Sequence, residues 1–142
     1  MPWTSSSLFT VSFVDQIIGE PNYIVGGRNG NMESISQPRW NGDSIIYLSD
    51  RSGYYQLYSH SKGGEESQVL KALTASDIGG PDWTFGQSTH QKLSPTTWIS
   101  KAKGGNLAIT TLATQESIII ETPFDSIQDI VVVSANKLAL GK

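Results

Sequence analysis

Imidazole is the side chain best suited to moving protons near neutral pH, and this chain has two, His60 and His90. His60 falls where an apolar run gives way to Lys62-Gly63-Gly64, and His90 follows Ser88-Thr89. Neither has a second His, Asp or Glu at metal-ligand spacing. No Gly-x-Ser-x-Gly elbow offers a serine nucleophile. Both histidines are therefore expected to be structural or solvent-facing. Asp77 and Asp82 flank Gly79-Gly80-Pro81 and read as turn carboxylates rather than a paired acid and base. The glycine pairs at 26–27, 63–64, 79–80 and 104–105 match neither GxGxxG nor GxxxxGK[ST], so they mark hairpin turns and not a phosphate cradle. The catalytic and metal-ligand sets are read as empty, and no cofactor is expected. What remains is binding chemistry. Tyr54 and Tyr55 follow Gly53 in a loop-like stretch, where amphipathic rings can stack on a sugar or a peptide side chain. Arg51 stands just before them, and these three form the candidate ligand-binding set.

Composition narrows the classes further. The chain has 142 residues, enough for a sizeable core. It lacks cysteine, which removes disulfides, Cys-ligated zinc and Cys nucleophiles. Net charge is −3 and there is no basic run, so nucleic acid is not an expected partner. The apolar stretch Leu8–Val14 stops at Asp15 and has no basic segment before it, so no signal peptide is read. No apolar run approaches the roughly 20 residues of a membrane span. A soluble protein of the cytoplasm or another intracellular compartment is expected.

Such residues need elements to position them, and the elements read as strands. Helical periodicity is absent. Short β-branched or aromatic runs stand at Leu8–Val14, Asn22–Val25, Ser44–Ser49, Gln56–Ser59, Gln68–Leu70, Thr97–Ala102, Leu107–Leu112, Ser117–Glu121, Ile127–Val133 and Lys137–Leu140, and Gln87–Leu93 is a further candidate. Asn41-Gly42-Asp43, Asp50-Arg51-Ser52-Gly53, Lys62-Gly63-Gly64 and Ala135-Asn136 punctuate them as turns. Ser117–Glu121 and Ile130–Val133 are continuously apolar, the mark of strands covered on both faces. Pro38-Arg39-Trp40 recurs as Pro81-Asp82-Trp83, with Pro2-Trp3 before and Pro123-Phe124 after. A period of roughly 40 residues with about four strands per unit is that of a β-propeller blade. In such an array Trp40 and Trp83 are expected to pack between blades.

The same residues resemble a known family. Pro38 to Asp43, the apolar run Ile45–Leu48, and Ser49-Asp50-Arg51-Ser52-Gly53-Tyr54-Tyr55-Gln56-Leu57-Tyr58 are similar to a propeller blade of the prolyl-oligopeptidase family, in its dipeptidyl-peptidase and acylaminoacyl-peptidase-like branch. Ile24-Val25-Gly26-Gly27, Glu33 to Gln37 and Gly80 to Gly86 fit the same branch. The family turn Ser-Pro-Asp-Gly is here Asn41-Gly42-Asp43-Ser44, which implies a shorter turn or one of another type. The resemblance implies that Asp50 accepts backbone N–H bonds at a strand-to-strand turn and that Arg51 bridges to a neighbouring blade. It implies a propeller that covers an active site and filters substrates. The family's hydrolase domain has no counterpart in these residues, so peptidase activity is not expected.

The expected fold is all-β, about three four-stranded antiparallel blades. Full blades are placed at 38–80 and 81–122, and half-blades at 1–37 and 123–142. Three blades do not close a ring, so a homodimer forming one six-bladed propeller is expected. The expected function is non-catalytic binding of a peptide, protein or glycan. A lectin on the same ring is the alternative, and a hydrolase ranks last.

Overall fold

The computed structural model describes residues 5–28, 30–69, 76–80 and 85–141. Pro2-Trp3, Leu70 and Pro81-Asp82-Trp83 lie outside the described residues. The rest is β-structure joined by turns, with one short 3-10 turn at Lys103–Gly105.

Two four-stranded antiparallel meanders carry the architecture. The first runs β5 (Ile35–Asn41), β6 (Ser44–Ser49), β7 (Gln56–His60) and β8 (Glu66–Gln68), paired in that order. The second runs β9 (His90–Lys92), β10 (Thr97–Lys101), β11 (Leu107–Thr111) and β12 (Glu116–Ile120), again paired in chain order. Before them, β1 (Ser7–Thr10) pairs with β4 (Asn22–Gly26), and the small hairpin of β2 (Phe13–Val14) and β3 (Ile17–Ile18) sits on its tip. After them, β13 (Asp129–Ser134) pairs with β14 (Lys137–Gly141). The molecule is thus half-blade, blade, blade, half-blade. The first full blade begins at Ile35, ahead of the boundary expected at residue 38.

Hairpin chemistry accounts for the tight links. Asn41 pairs with Ser44 across Gly42-Asp43, and Gly42 has φ 60°, as a two-residue hairpin turn requires. The turn is short, as the departure from Ser-Pro-Asp-Gly implied. Gly26 has φ 117° where β4 meets β1, and a Cβ there would lie 2.3 Å from the Ser6 carbonyl oxygen, so only glycine fits.

Three apolar layers separate the two full blades and the two half-blades, and strand alternation assigns residues to them. On β6, Ile46 and Leu48 face the second full blade and meet Leu57, Ile78 and Trp98. Ile45 and Tyr47 face the other way and meet Val25 and Tyr58 beside the first half-blade. On β10 and β11, Ile99 and Leu107 face the last half-blade and meet Ile127 and Ile130. A full blade is therefore buried on both faces, which is why β6 reads as an unbroken apolar run.

Two sequence expectations need correction. Ser117–Glu121 was expected to be covered on both faces. It is β12, the outermost strand of its blade, and Ile118 is 67 % exposed. Hydrophobicity alone does not separate an inner strand from an outer one. Trp40 was expected between blades, yet it is 63 % exposed. It sits on β5, the first strand of its blade, while the preceding half-blade brings only β1 and β4. Nothing in that hairpin reaches far enough inward to cover the ring. Among the described residues Trp98, which lies outside the repeat, is the tryptophan buried between the two full blades.

Candidate functional site

Arg51 stands at the turn from β6 to β7 and gathers the densest polar cluster among the described residues. Its Nε–H donates to Glu33 Oε1 at 2.8 Å, Nη1 to Glu66 Oε2 at 3.0 Å and Nη2 to the Tyr47 hydroxyl at 3.0 Å. Its guanidinium lies 4.4 Å from the Tyr58 ring centre. The Ser49 hydroxyl donates to the same Glu33 oxygen, and the Tyr47 hydroxyl donates to Glu66. The fork of an arginine suits this task, because its planar donors satisfy several acceptors at once. Burial opposes the Arg51 charge, but the hydrogen bond with Glu66 and the nearby carboxylates outweigh it and raise its pKa. Burial would likewise raise Glu66, but donation from Arg51 and Tyr47 holds that carboxyl below the usual range.

Among the described residues Arg51 does not bridge to a neighbouring blade. Its partners lie in its own blade or on the segment that enters it. Arg39 on β5 does cross between blades: its Nε–H donates to the His90 carbonyl and its Nη2 donates to the Ser88 hydroxyl. Asp50 does accept a backbone bond, from Ser34 N–H at 2.7 Å. Tyr55 is half-buried, donates through its hydroxyl to Ser34 Oγ, and donates its backbone N–H to Asp77 Oδ1. Asp77 is thus a turn carboxylate. Tyr54 alone of the candidate trio presents an exposed ring. The trio is therefore split: Arg51 and Tyr55 are engaged by partners within the chain, and the Tyr54 ring faces out.

His90 is 0 % exposed. Its Nδ1 accepts from Trp98 Nε1–H at 2.9 Å, and so its Nε2–H donates to the Gln37 carbonyl at 2.9 Å. Burial, aided by the Arg39 charge and opposed by the Gln37 bond, pushes its pKa down to about 3. Gln37 also accepts from Thr89 N–H and adopts φ 49° where the β5–β6 register shifts. This bulge turns Gln37 toward the next blade. His90, Gln37 and Arg39 together join the first strands of the two full blades. His60 lies with Nδ1 3.6 Å from Glu66 Oε1. Among the described residues no group of three His, Cys, Asp or Glu could hold a metal ion.

The sequence reading missed a cavity of about 340 Å³ between the first half-blade and the first full blade. Trp40, Tyr23 and Ile24 supply apolar wall, while Asn22, Asp43 and Lys62 supply polar groups. Its residues come from β4, from the β5–β6 turn and from the turn after β7. Only the fold assembles them, although an exposed tryptophan beside an Asn-Gly-Asp turn is the one local hint.

The chain matches solved structures closely in shape. Puromycin hydrolase, a peptidase of the prolyl-oligopeptidase family, superposes with TM-score 0.79 at 24% identity, over 94% of this chain and 20% of its own. A mutant of puromycin hydrolase complexed with PGG gives TM-score 0.78 at 24% identity over the same shares. A puromycin-hydrolyzing peptidase of Mycobacterium tuberculosis gives 0.77 at 21% identity, over 92% of this chain and 20% of its own. The fold is a β-propeller segment. It spans about a fifth of the length of the peptidases it matches. No family model and no curated protein matches the chain. Among the described residues, no helix of this propeller segment is long and apolar enough to cross a membrane.

Proposed function

We propose that this propeller segment works by binding rather than by catalysis, and that it holds a peptide in the cavity beside Trp40. The cavity carries the reading. Its volume falls in the range of ligand pockets, and its walls combine apolar area with a few polar groups that can fix orientation. A peptide backbone needs donors and acceptors such as Asn22, Asp43 and Lys62, and its side chains need surfaces such as Trp40 and Tyr23. The imidazoles favour a non-catalytic role. Both nitrogens of His90 are engaged inside the core, and a pKa near 3 leaves it a poor base at neutral pH. The likeness to peptidases suits a segment that handles peptides, as the propeller of the resembling family does in filtering substrates. A glycan is the second reading, favoured by the exposed Trp40 ring next to Asp43 and Asn22.

Titrating the chain with a peptide library and an oligosaccharide panel, followed by NMR shift mapping, tests this. Peptides should perturb Trp40, Tyr23 and Lys62 resonances, and the Asp43→Ala/Lys62→Ala variant should weaken binding about tenfold. Shifts confined to Tyr54 would move the site to the β6–β7 turn. Sugar-only binding would favour the lectin. Peptide or ester turnover abolished by one Ser→Ala change would refute the non-catalytic reading.

A further inference from the structure

Of the two imidazoles, His90 is engaged inside the core, but His60 stands on the wall of the cavity beside Trp40. It is the last residue of β7, and Lys62 follows in the next turn and lines the same cavity. In the sheet His60 lies between Ile45 of β6 and Glu66 of β8. Its Nδ1 is buried and has no hydrogen-bond partner among the described residues. That nitrogen faces the Glu66 carboxylate, with Oε1 at 3.6 Å. The side chain nevertheless keeps 18% of its surface open. With Nδ1 turned inward, the open part of the ring on the cavity wall is the edge that carries Nε2. Nε2 makes no hydrogen bond to any described residue.

Charge decides what such an edge can take. Burial works against the Glu66 charge, but donation from Arg51 and the Tyr47 hydroxyl outweighs it and holds that carboxyl below the usual range. An ionised carboxylate only accepts, so it keeps the hydrogen of a neutral His60 on Nδ1 and leaves a lone pair on Nε2. Protonation turns Nε2 into a donor and adds a positive charge, which Glu66 offsets from behind. Lys62 is exposed and makes no ion pair among the described residues. Two nitrogens from one short stretch of chain can thus meet one anion. Two further titratable groups line the cavity. The Tyr23 hydroxyl donates to the Gly26 carbonyl. Asp43, on the β5–β6 turn, suits the N–H groups of a peptide and repels an anion from its own wall.

We infer that the cavity selects peptides by a carboxylate, which Lys62 Nζ and His60 Nε2–H receive, and that binding brings a proton onto His60. This rests on the cavity beside Trp40 being a peptide site, and it names the group that such a peptide must carry. The proton comes from solvent. It converts the neutral imidazole to an imidazolium held between the ligand carboxylate at Nε2 and Glu66 at Nδ1. Charge-assisted bonds of this kind are stronger than neutral ones, so an amide in place of the carboxylate is disfavoured. The bound state holds one more proton than the free state, so affinity rises as pH falls. A C-terminal carboxylate and an acidic side chain present the same chemistry, and the two are separable by experiment.

Calorimetry and NMR shift mapping with acetyl-Phe-Ala as the free acid, its C-terminal amide and acetyl-Phe-Glu-amide test this on the full chain. At least one acid should bind about tenfold more tightly than the neutral amide. The free acid is preferred if a C-terminus is taken, and the Glu peptide if a side chain is. Lys62→Gln changes an exposed side chain and should erase that preference with the β-type circular dichroism retained. Between pH 7.5 and 5.5 the preferred acid should gain at least about threefold in affinity, and His60→Gln should flatten that slope. Titrations of the parent in two buffers of different ionisation enthalpy should show net proton uptake, a readout that needs no variant. A neutral amide that binds as tightly as the acids while shifting Trp40 and Tyr23 resonances overturns the carboxylate inference and leaves the peptide site standing. If none of the three peptides shifts those resonances, both fall. Binding without proton uptake, or a pH slope unchanged in His60→Gln, overturns the part given to His60.

Discussion

Replacing His90 by glutamine tests the join between the two full blades and should alter both stability and its pH dependence. His90 accepts from Trp98 Nε1–H and donates to the Gln37 carbonyl, both at 2.9 Å and both out of water. A glutamine can keep one of these bonds but not both in the same geometry. A buried group left without its partner costs about 1–3 kcal/mol, and the change of shape adds to that. The variant should therefore lose about 2–4 kcal/mol at pH 7. The pH dependence has a definite sign. The folded-state pKa of His90 is pushed down to about 3, while the unfolded chain binds this proton near 6.5. Between those values the unfolded state holds the extra proton, so acid favours unfolding. The parent should lose stability through His90 as pH falls below 6.5, by roughly 3 kcal/mol at pH 4.5. His90→Gln has no such group, so its deficit should shrink by the same amount over that interval. Urea titrations of both proteins from pH 7.5 to 4.5 measure this, because other acid-sensitive groups cancel in the difference. Parallel pH curves would mean that His90 titrates normally, and the buried Trp98–His90–Gln37 chain would then be wrong.

Arg51→Ala should destabilise by about 2–4 kcal/mol, because it strands the buried Glu33 carboxylate, with some discount since the Arg51 side chain is 28% exposed. Arg51→Lys should recover less than half of that in thermal melts, since an ammonium cannot serve Glu33, Glu66 and Tyr47 together. Gly26→Ala should cost at least about 1–3 kcal/mol from its positive φ, and a β1–β4 hairpin as well protected from hydrogen exchange as in the parent would show that the Ser6 approach is not as tight as 2.3 Å.

Local chemistry made the strands, the turns and the repeat legible in the sequence. Gly42, Asp43 and the flanking apolar runs specify a hairpin through backbone preferences that act within four residues. Ser44–Ser49 was readable to the residue because alternate side chains of β6 meet two different apolar layers, which makes Ile45–Leu48 an unbroken apolar run between two serines. The β5 strand was harder, because Pro38 and the Gln37 bulge interrupt its alternation, and only its pairing with β6 and its bonds to His90 and Thr89 reveal it. Arg51 and Asp50 were visible as a turn pair, but their partners were not. Glu33, Ser34 and Glu66 reach them through hydrogen bonds that span 15 to 18 residues. His90 carried no local sign of its depressed pKa, which arises from burial between the blades and from the Arg39 charge on another blade. Trp40 and Ile118 show the limit most plainly. Their residue type says that they favour burial, but burial depends on which strand of which blade stands opposite. Among the described residues no strand covers either side chain, and only the tertiary structure shows which positions of β5 and β12 stay open.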